Sequence, residues 1–176
     1  MLTSLDRRPG TLAEVIRRCK AGQQTFSVAL GEFLDEFYRD TDARHRRARV
    51  MDRPDVTGND VFDAYAGAAA EHLVRRWNLG IPPEWSDDPC RFLHRPWFPP
   101  GVEAEKPILL VESPLAFRRR LLFVEAEPLR RARMPHDERW RAYEYLRTGL
   151  MPEDDPDLPV PTTVQRPVRP DPSGQA

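Results

Sequence analysis

Residues 57–80 read Thr-Gly-Asn-Asp-Val-Phe-Asp-Ala-Tyr-Ala-Gly-Ala-Ala-Ala-Glu-His-Leu-Val-Arg-Arg-Trp-Asn-Leu-Gly, and this stretch decides the fold. Thr57 or Asn59 can offer a side-chain oxygen to the unpaired N–H groups of a helix start. Gly80 with Pro82 supplies the stop. Between them Val61, Tyr65, Ala68, His72, Leu73 and Arg76 follow one another at helical steps. Ala64, Ala66, Gly67, Ala68, Ala69 and Ala70 carry so little side-chain bulk that another element can come close to this backbone. The stretch is predicted to be the central helix of a mostly α protein.

Upstream, Thr11 followed by Glu14 forms a capping-box pattern, and Leu12, Val15, Ile16 and Cys19 make one apolar face that ends at Gly22. From Thr25, the residues Phe26, Leu30, Phe33, Leu34 and Phe37 recur at helical spacing, with Asp35, Glu36 and Arg39 outside. A strongly apolar second helix running to about Asp40 follows. Residues 39–53 hold Arg44, His45, Arg46, Arg47 and Arg49 with little apolar content before Pro54. They read as an exposed basic helix end or loop whose structure depends on a partner.

Downstream, residues 81–101 are dense in Trp, Phe and Pro, which suits an ordered loop covering the core and no long regular element. Residues 103–111 form a short helix or strand that feeds 112–133, Glu-Ser-Pro-Leu-Ala-Phe-Arg-Arg-Arg-Leu-Leu-Phe-Val-Glu-Ala-Glu-Pro-Leu-Arg-Arg-Ala-Arg. Ser113 as cap and Pro114 at the first helical position predict a helix start there. Phe117, Leu121 and Val124 then form an apolar stripe, with Arg118 and Arg119 pointing away and Arg120 flanking it. On that reading the arginines are presented, not buried. Leu121-Leu122-Phe123-Val124 is also compatible with a short strand. Pro128 interrupts, so a further helical turn is expected near Glu127, carrying Arg130, Arg131 and Arg133, with Glu127 and Arg131 spaced to pair. The competing reading is a solvated face whose arginines pair with Glu112, Glu125 and Glu127. A last helix is expected over 137–147, with Trp140, Tyr143 and Leu146 on one side.

From Pro152 the chain turns proline-rich, with Asp, Ser, Gly and Gln and no apolar period. Residues 151–176 are therefore expected to be a disordered tail behind a helical domain over 1–150. The fold class expected is a small single-domain helical bundle with a Pro/Trp-rich ordered loop and room for one short strand or hairpin.

Lys and Arg number 27 against 28 Asp and Glu, a net charge of −1 over 176 residues. That argues against a protein dominated by nonspecific nucleic-acid binding and leaves room for local basic patches. Lysine occurs only at Lys20 and Lys106, an arginine bias that a genome of high G+C content explains as readily as function. Two cysteines, Cys19 and Cys90, are too few for a disulfide framework, and Cys19 reads as core. With no run of eighteen apolar residues and no apolar leader, a reducing, cytoplasmic setting is expected. Cys90 and His94 have a spacing that a metal could use, but no second pair completes a tetrahedral site. The hydrolase, phosphate-loop and zinc-protease signatures are absent, so neither a catalytic role nor a cofactor is expected.

The residues Ile81-Pro82-Pro83-Glu84-Trp85-Ser86-Asp87-Asp88-Pro89, Leu93, Pro96-Trp97-Phe98, then Leu109 through Phe123 around Glu-Ser-Pro-x-x-Phe-Arg-x-Arg-x-Leu-Phe, and Leu129-x-Arg131-Ala132 resemble a family of short uncharacterised bacterial proteins. The resemblance covers about residues 78–133. Members tend to be encoded beside a nucleotidyltransferase-like protein, an arrangement similar to toxin–antitoxin pairs. Leu121 departs from the family, which often carries a polar residue there. The resemblance implies an antitoxin-like interaction protein that restrains such a partner through Phe117, Arg118, Arg120 and Phe123, with Trp85 and Trp97 bracing the site. Arg119, Arg130 and Arg131 join the same expected partner surface from their clustering. The alternative is an RNA- or DNA-binding module that uses the arginine clusters and stacking aromatics.

Overall fold

The central helix forms as expected. In the computed structural model, which describes residues 7–150, α4 spans Asp60–Arg76, and Asn59 Oδ1 accepts the N–H groups of Val61 and Phe62 at its start. Its small face is in use. A Cβ built on Gly67 would stand 2.9 Å from Arg91 Cβ, 3.0 Å from Arg120 Nε and 3.2 Å from Ser86 O. Two 3-10 turns, Glu84–Asp87 and Pro89–Arg91, and the short helix α6 (Leu115–Arg118) pack against that face. Glycine is required there because any side chain would meet Arg91, Arg120 and Ser86.

Helices α1 (Leu12–Lys20) and α2 (Phe26–Arg39) pair with each other. Thr11 caps α1 by accepting Glu14 N–H at 3.1 Å, while the Glu14 carboxylate reaches back to Gly10 N–H. Phe26, Leu30, Phe33, Leu34 and Phe37 of α2 are buried, and Tyr38 joins them, donating its hydroxyl to Leu129 O at 2.9 Å. Cys19 is only half-buried; the interior position on α1 goes instead to Arg18, paired with Glu14 at 2.7 Å.

Residues 39–53 depart from expectation. They contain an ordered helix, α3 (Ala43–Met51), capped by Asp42, whose carboxylate accepts Arg44 N–H at 2.7 Å. Arg44 stays exposed, but its other three arginines turn inward. Arg46 donates to Asp40 O at 2.6 Å, Arg47 to Leu79 O and Ile81 O at 2.8 Å each, and Arg49 to Gly10 O and Asp40. The carbonyls left unpaired where α2 and α4 end thus find guanidinium donors, which replaces the expected need for a partner.

The Pro/Trp-rich loop is ordered. Trp85 is buried and donates Nε1–H to Met51 O at 3.1 Å. Trp97 makes the isolated parallel bridge with Leu122, donating N–H to Leu121 O at 2.8 Å and accepting Phe123 N–H at 3.0 Å. The short-strand option for 121–124 reduces to this bridge. α5 spans Lys106–Glu112. No helix forms near Glu127: one turn closes there, Arg130 N–H reaching Glu127 O at 3.2 Å, while the Glu127 side chain pairs with Arg76 at 3.2 Å and Leu129 is buried. Arg131 consequently pairs with Asp35, at 2.8 and 2.9 Å, and not with Glu127 as the spacing suggested.

The molecule is thus mostly α, with seven α-helices among the described residues. Two compact units divide between Pro135 and His136. The second contains α7 (Glu138–Thr148), capped by Asp137 and closed at Gly149 with φ 75°; the His136 ring stacks on Trp140 at 3.7 Å. The expected tail, 151–176, lies outside the described residues. No described helix is long and apolar enough to cross a membrane.

Candidate interaction surface

Ser113 does not start a helix; it ends one. Its hydroxyl lies 2.5 Å from Leu109 O and accepts Val124 N–H at 2.8 Å, tying the end of α5 to the segment beyond α6. Pro114 sits at the start of α6, which lasts only one turn. It stops because Leu121 adopts φ 59°, so that Leu121 N–H returns to Arg118 O and Leu122 N–H to Phe117 O. This is a Schellman closure with leucine where glycine is usual, accompanied by the expected apolar pair, Phe117 and Leu122, both fully buried.

The expectation that all three arginines are presented, with Arg120 flanking the apolar stripe, fails at Arg120, which falls four and three positions after the buried Ala116 and Phe117 and so on their side of the helix. Arg118 is exposed and forms no ion pair or side-chain hydrogen bond with another described residue. Arg119 is partly exposed and bridges Glu71 at 3.2 Å and Asp87 at 3.0 Å. Arg120 is fully buried. It donates to Glu71 Oε2, Ala116 O and Ser86 O, each at 2.6 Å, and its guanidinium lies 4.9 Å from the Phe92 ring centre. Glu71, on α4, also accepts from Arg75 at 2.9 Å. Burial works to raise the Glu71 carboxyl, but the Arg120, Arg75 and Arg119 guanidiniums outweigh it and hold it below the ordinary carboxylate range. A second buried pair, Arg91 with Asp63 at 3.3 Å, sits one side of Gly67, and Arg91 also donates to Pro54 O at 2.6 Å.

The other expected site residues divide similarly. Phe117 is buried edge-on to Tyr65, with ring centres 5.1 Å apart. Phe123 is buried and stacked on Phe98 at 5.0 Å, and Trp85 is buried. Trp97 and Arg130 are half-buried and Arg131 is exposed; all three line one shallow apolar groove with Tyr65 and Pro128. Phe117, Arg120, Phe123 and Trp85 are therefore interior groups that shape the surface from beneath.

Sequence reading missed an exposed apolar face. Of Ile108-Leu109-Leu110-Val111 on α5 only Leu109 is buried; Val111 is 77% and Ile108 58% exposed, and Leu115 on α6 is 61% exposed. The signal was available: four consecutive apolar residues on a helix cannot all face one side. Beside this face a groove of about 460 Å³ runs between Trp97, Tyr65 and Val124, with Glu105, Glu112 and Glu125 in its lining. Burial, then the Glu125 charge, push the Glu112 carboxyl up.

Among the described residues, no group of three or more His, Cys, Asp and Glu is placed to hold a metal ion. In comparisons with known proteins no family model matches the chain, and no curated protein or solved structure matches it.

Proposed function

We propose that the chain is an interaction protein whose docking face is the α5–α6 elbow. The observation that carries this reading is the set Ile108, Leu110, Val111 and Leu115, large apolar side chains left in water within eight residues of chain. Apolar side chains grouped in this way on a protein surface characteristically mark a contact site. Arg118 lies at the end of the same elbow with no internal partner among the described residues, which suits it to a partner carboxylate. The motif resemblance supplies the partner class: a nucleotidyltransferase-like protein, restrained in the manner of an antitoxin. The reading assigns no reaction to the chain itself.

The rival reading, an RNA- or DNA-binding module, has less support, because Arg46, Arg47 and Arg49 are engaged with carbonyls and Asp40 and so do not form an outward basic stripe. The test is co-expression with a nucleotidyltransferase-like protein encoded beside this chain, followed by pulldown. The complex is expected to co-purify, and Val111→Asp or Arg118→Glu is expected to weaken it at least about tenfold, a loss of about 1.4 kcal/mol, without unfolding the chain. A partner that stays unbound to the unaltered chain sinks the reading.

A further inference from the structure

Away from the α5–α6 elbow, arginines from separate segments converge on one cleft of about 650 Å³. Arg7 and Arg8 precede α1, Arg39 ends α2, Arg49 lies on α3 and Arg133 follows the turns after α6; Glu36 is the carboxylate among them. Arg49 is fixed by Asp40 at 3.1 Å and by Gly10 O at 2.8 Å, so part of the cleft is preorganised. The others are loosely held. Arg39 meets Glu36 at 2.8 Å with its side chain 65% exposed, and Arg8 stands 3.6 Å from both Asp35 and Glu36, beyond hydrogen-bonding length. Arg7 and Arg133 have no side-chain hydrogen bond or ion pair with another described residue.

Five guanidiniums therefore face Glu36, Asp35 and Asp40, of which Asp35 is already taken in two-point fashion by Arg131. The cleft holds surplus positive charge in a chain whose net charge is −1. The Asp35 carboxyl lies below its ordinary range, chiefly through its bond to Arg131 and with help from Arg8 and Arg133.

We propose that this cleft binds a small anion carrying two or more phosphate groups. Planar guanidinium forks match phosphate oxygens two at a time, and several forks at different angles suit a polyphosphate better than a single flat carboxylate. The volume holds a compound of nucleotide size. A nucleic-acid backbone is the poorer occupant because the positive charge does not continue: Arg46 and Arg47, next along α3, are turned to backbone carbonyls. Binding would draw Arg39 and Arg8 from Glu36 to the anion, exchanging a weak exposed pair for charge-assisted bonds to a more highly charged group.

Isothermal titration of the full chain with tripolyphosphate tests this, with citrate as the carboxylate control and a single-stranded RNA oligonucleotide as the polymer control. One tripolyphosphate per chain is expected, with citrate at least about tenfold weaker. Arg133→Glu and Arg39→Glu should each weaken binding by about tenfold or more, while Arg118→Glu, outside the cleft, leaves it unchanged; circular dichroism confirms that each variant is folded. Should Arg39→Glu fail to fold, Arg133→Glu, which breaks no ion pair, carries the test. No saturable binding, equal binding of citrate, equal loss in Arg118→Glu, or an RNA that binds more tightly than tripolyphosphate would each overturn the proposal.

Discussion

Two runs of arginine in this chain look alike in sequence and behave differently. Along α3, Arg46, Arg47 and Arg49 all bend back to backbone carbonyls or Asp40 at the ends of neighbouring elements. In the triplet after Phe117, one guanidinium leaves for solvent, one lies half-covered and one is sealed against α4. The difference lies in what each side chain can reach. α3 runs past helix C-termini, where carbonyls lack partners and the helix dipole is negative, and these can be served from the rim. Arg119 and Arg120 of the triplet instead face Glu71, a carboxylate on the small-residue face of α4, which must be neutralised within the interior.

Arg120→Ala is the largest expected break in this comparison. It strands Glu71 at 1% exposure with only the half-exposed Arg119 and Arg75 as partners, and it unpairs Ser86 O and Ala116 O. Removing one member of a buried pair costs about 3–5 kcal/mol. Urea unfolding monitored by circular dichroism reads this as a lowered midpoint at unchanged slope. A loss under about 1 kcal/mol would mean that Arg120 is no more structural than Arg118.

Arg47→Ala is expected to cost less, about 1–2 kcal/mol by the same measurement, although Arg47 makes two short bonds, to Leu79 O and Ile81 O. Ile81 is exposed, so its carbonyl can take water when the guanidinium is gone, a relief unavailable to Glu71. Equal losses in the two variants would erase the distinction between rim and interior.

The helical architecture was legible because its signals are local. Thr11, Thr25, Asn59 and Asp137 each cap the helix that follows, and the apolar period of α2 and the small residues of α4 assign their faces unaided. The fate of the arginines was not legible. It depends on Glu71, forty-nine residues from Arg120 in the chain, and on Asp35, ninety-six from Arg131. Periodicity places a side chain on a face but does not tell whether a carboxylate waits there. Ser113 misled for a related reason: an Ser-Pro pair suits a helix start, yet the hydroxyl was needed by Val124 N–H to join two elements. The exposed face of α5 was legible in principle, since four consecutive apolar residues overfill one helical side.

The smallest expected effect tests the turn that follows the triplet. Leu121 at φ 59° turns the chain immediately after Arg120 and ends α6. An L-residue with a side chain costs about 1–2 kcal/mol in the left-handed region. Glycine would relieve this cost but adds freedom to the unfolded chain and loses the half-buried leucine contacts, so Leu121→Gly should stabilise by no more than about 1 kcal/mol. Leu121→Val, branched at Cβ, should instead destabilise by about 1 kcal/mol or more, because branching worsens the same crowding. The two variants thus move the unfolding midpoint in opposite directions if the turn is the strained element. Movement in the same direction would show that the leucine side chain, and not the backbone conformation, is what position 121 contributes to stability.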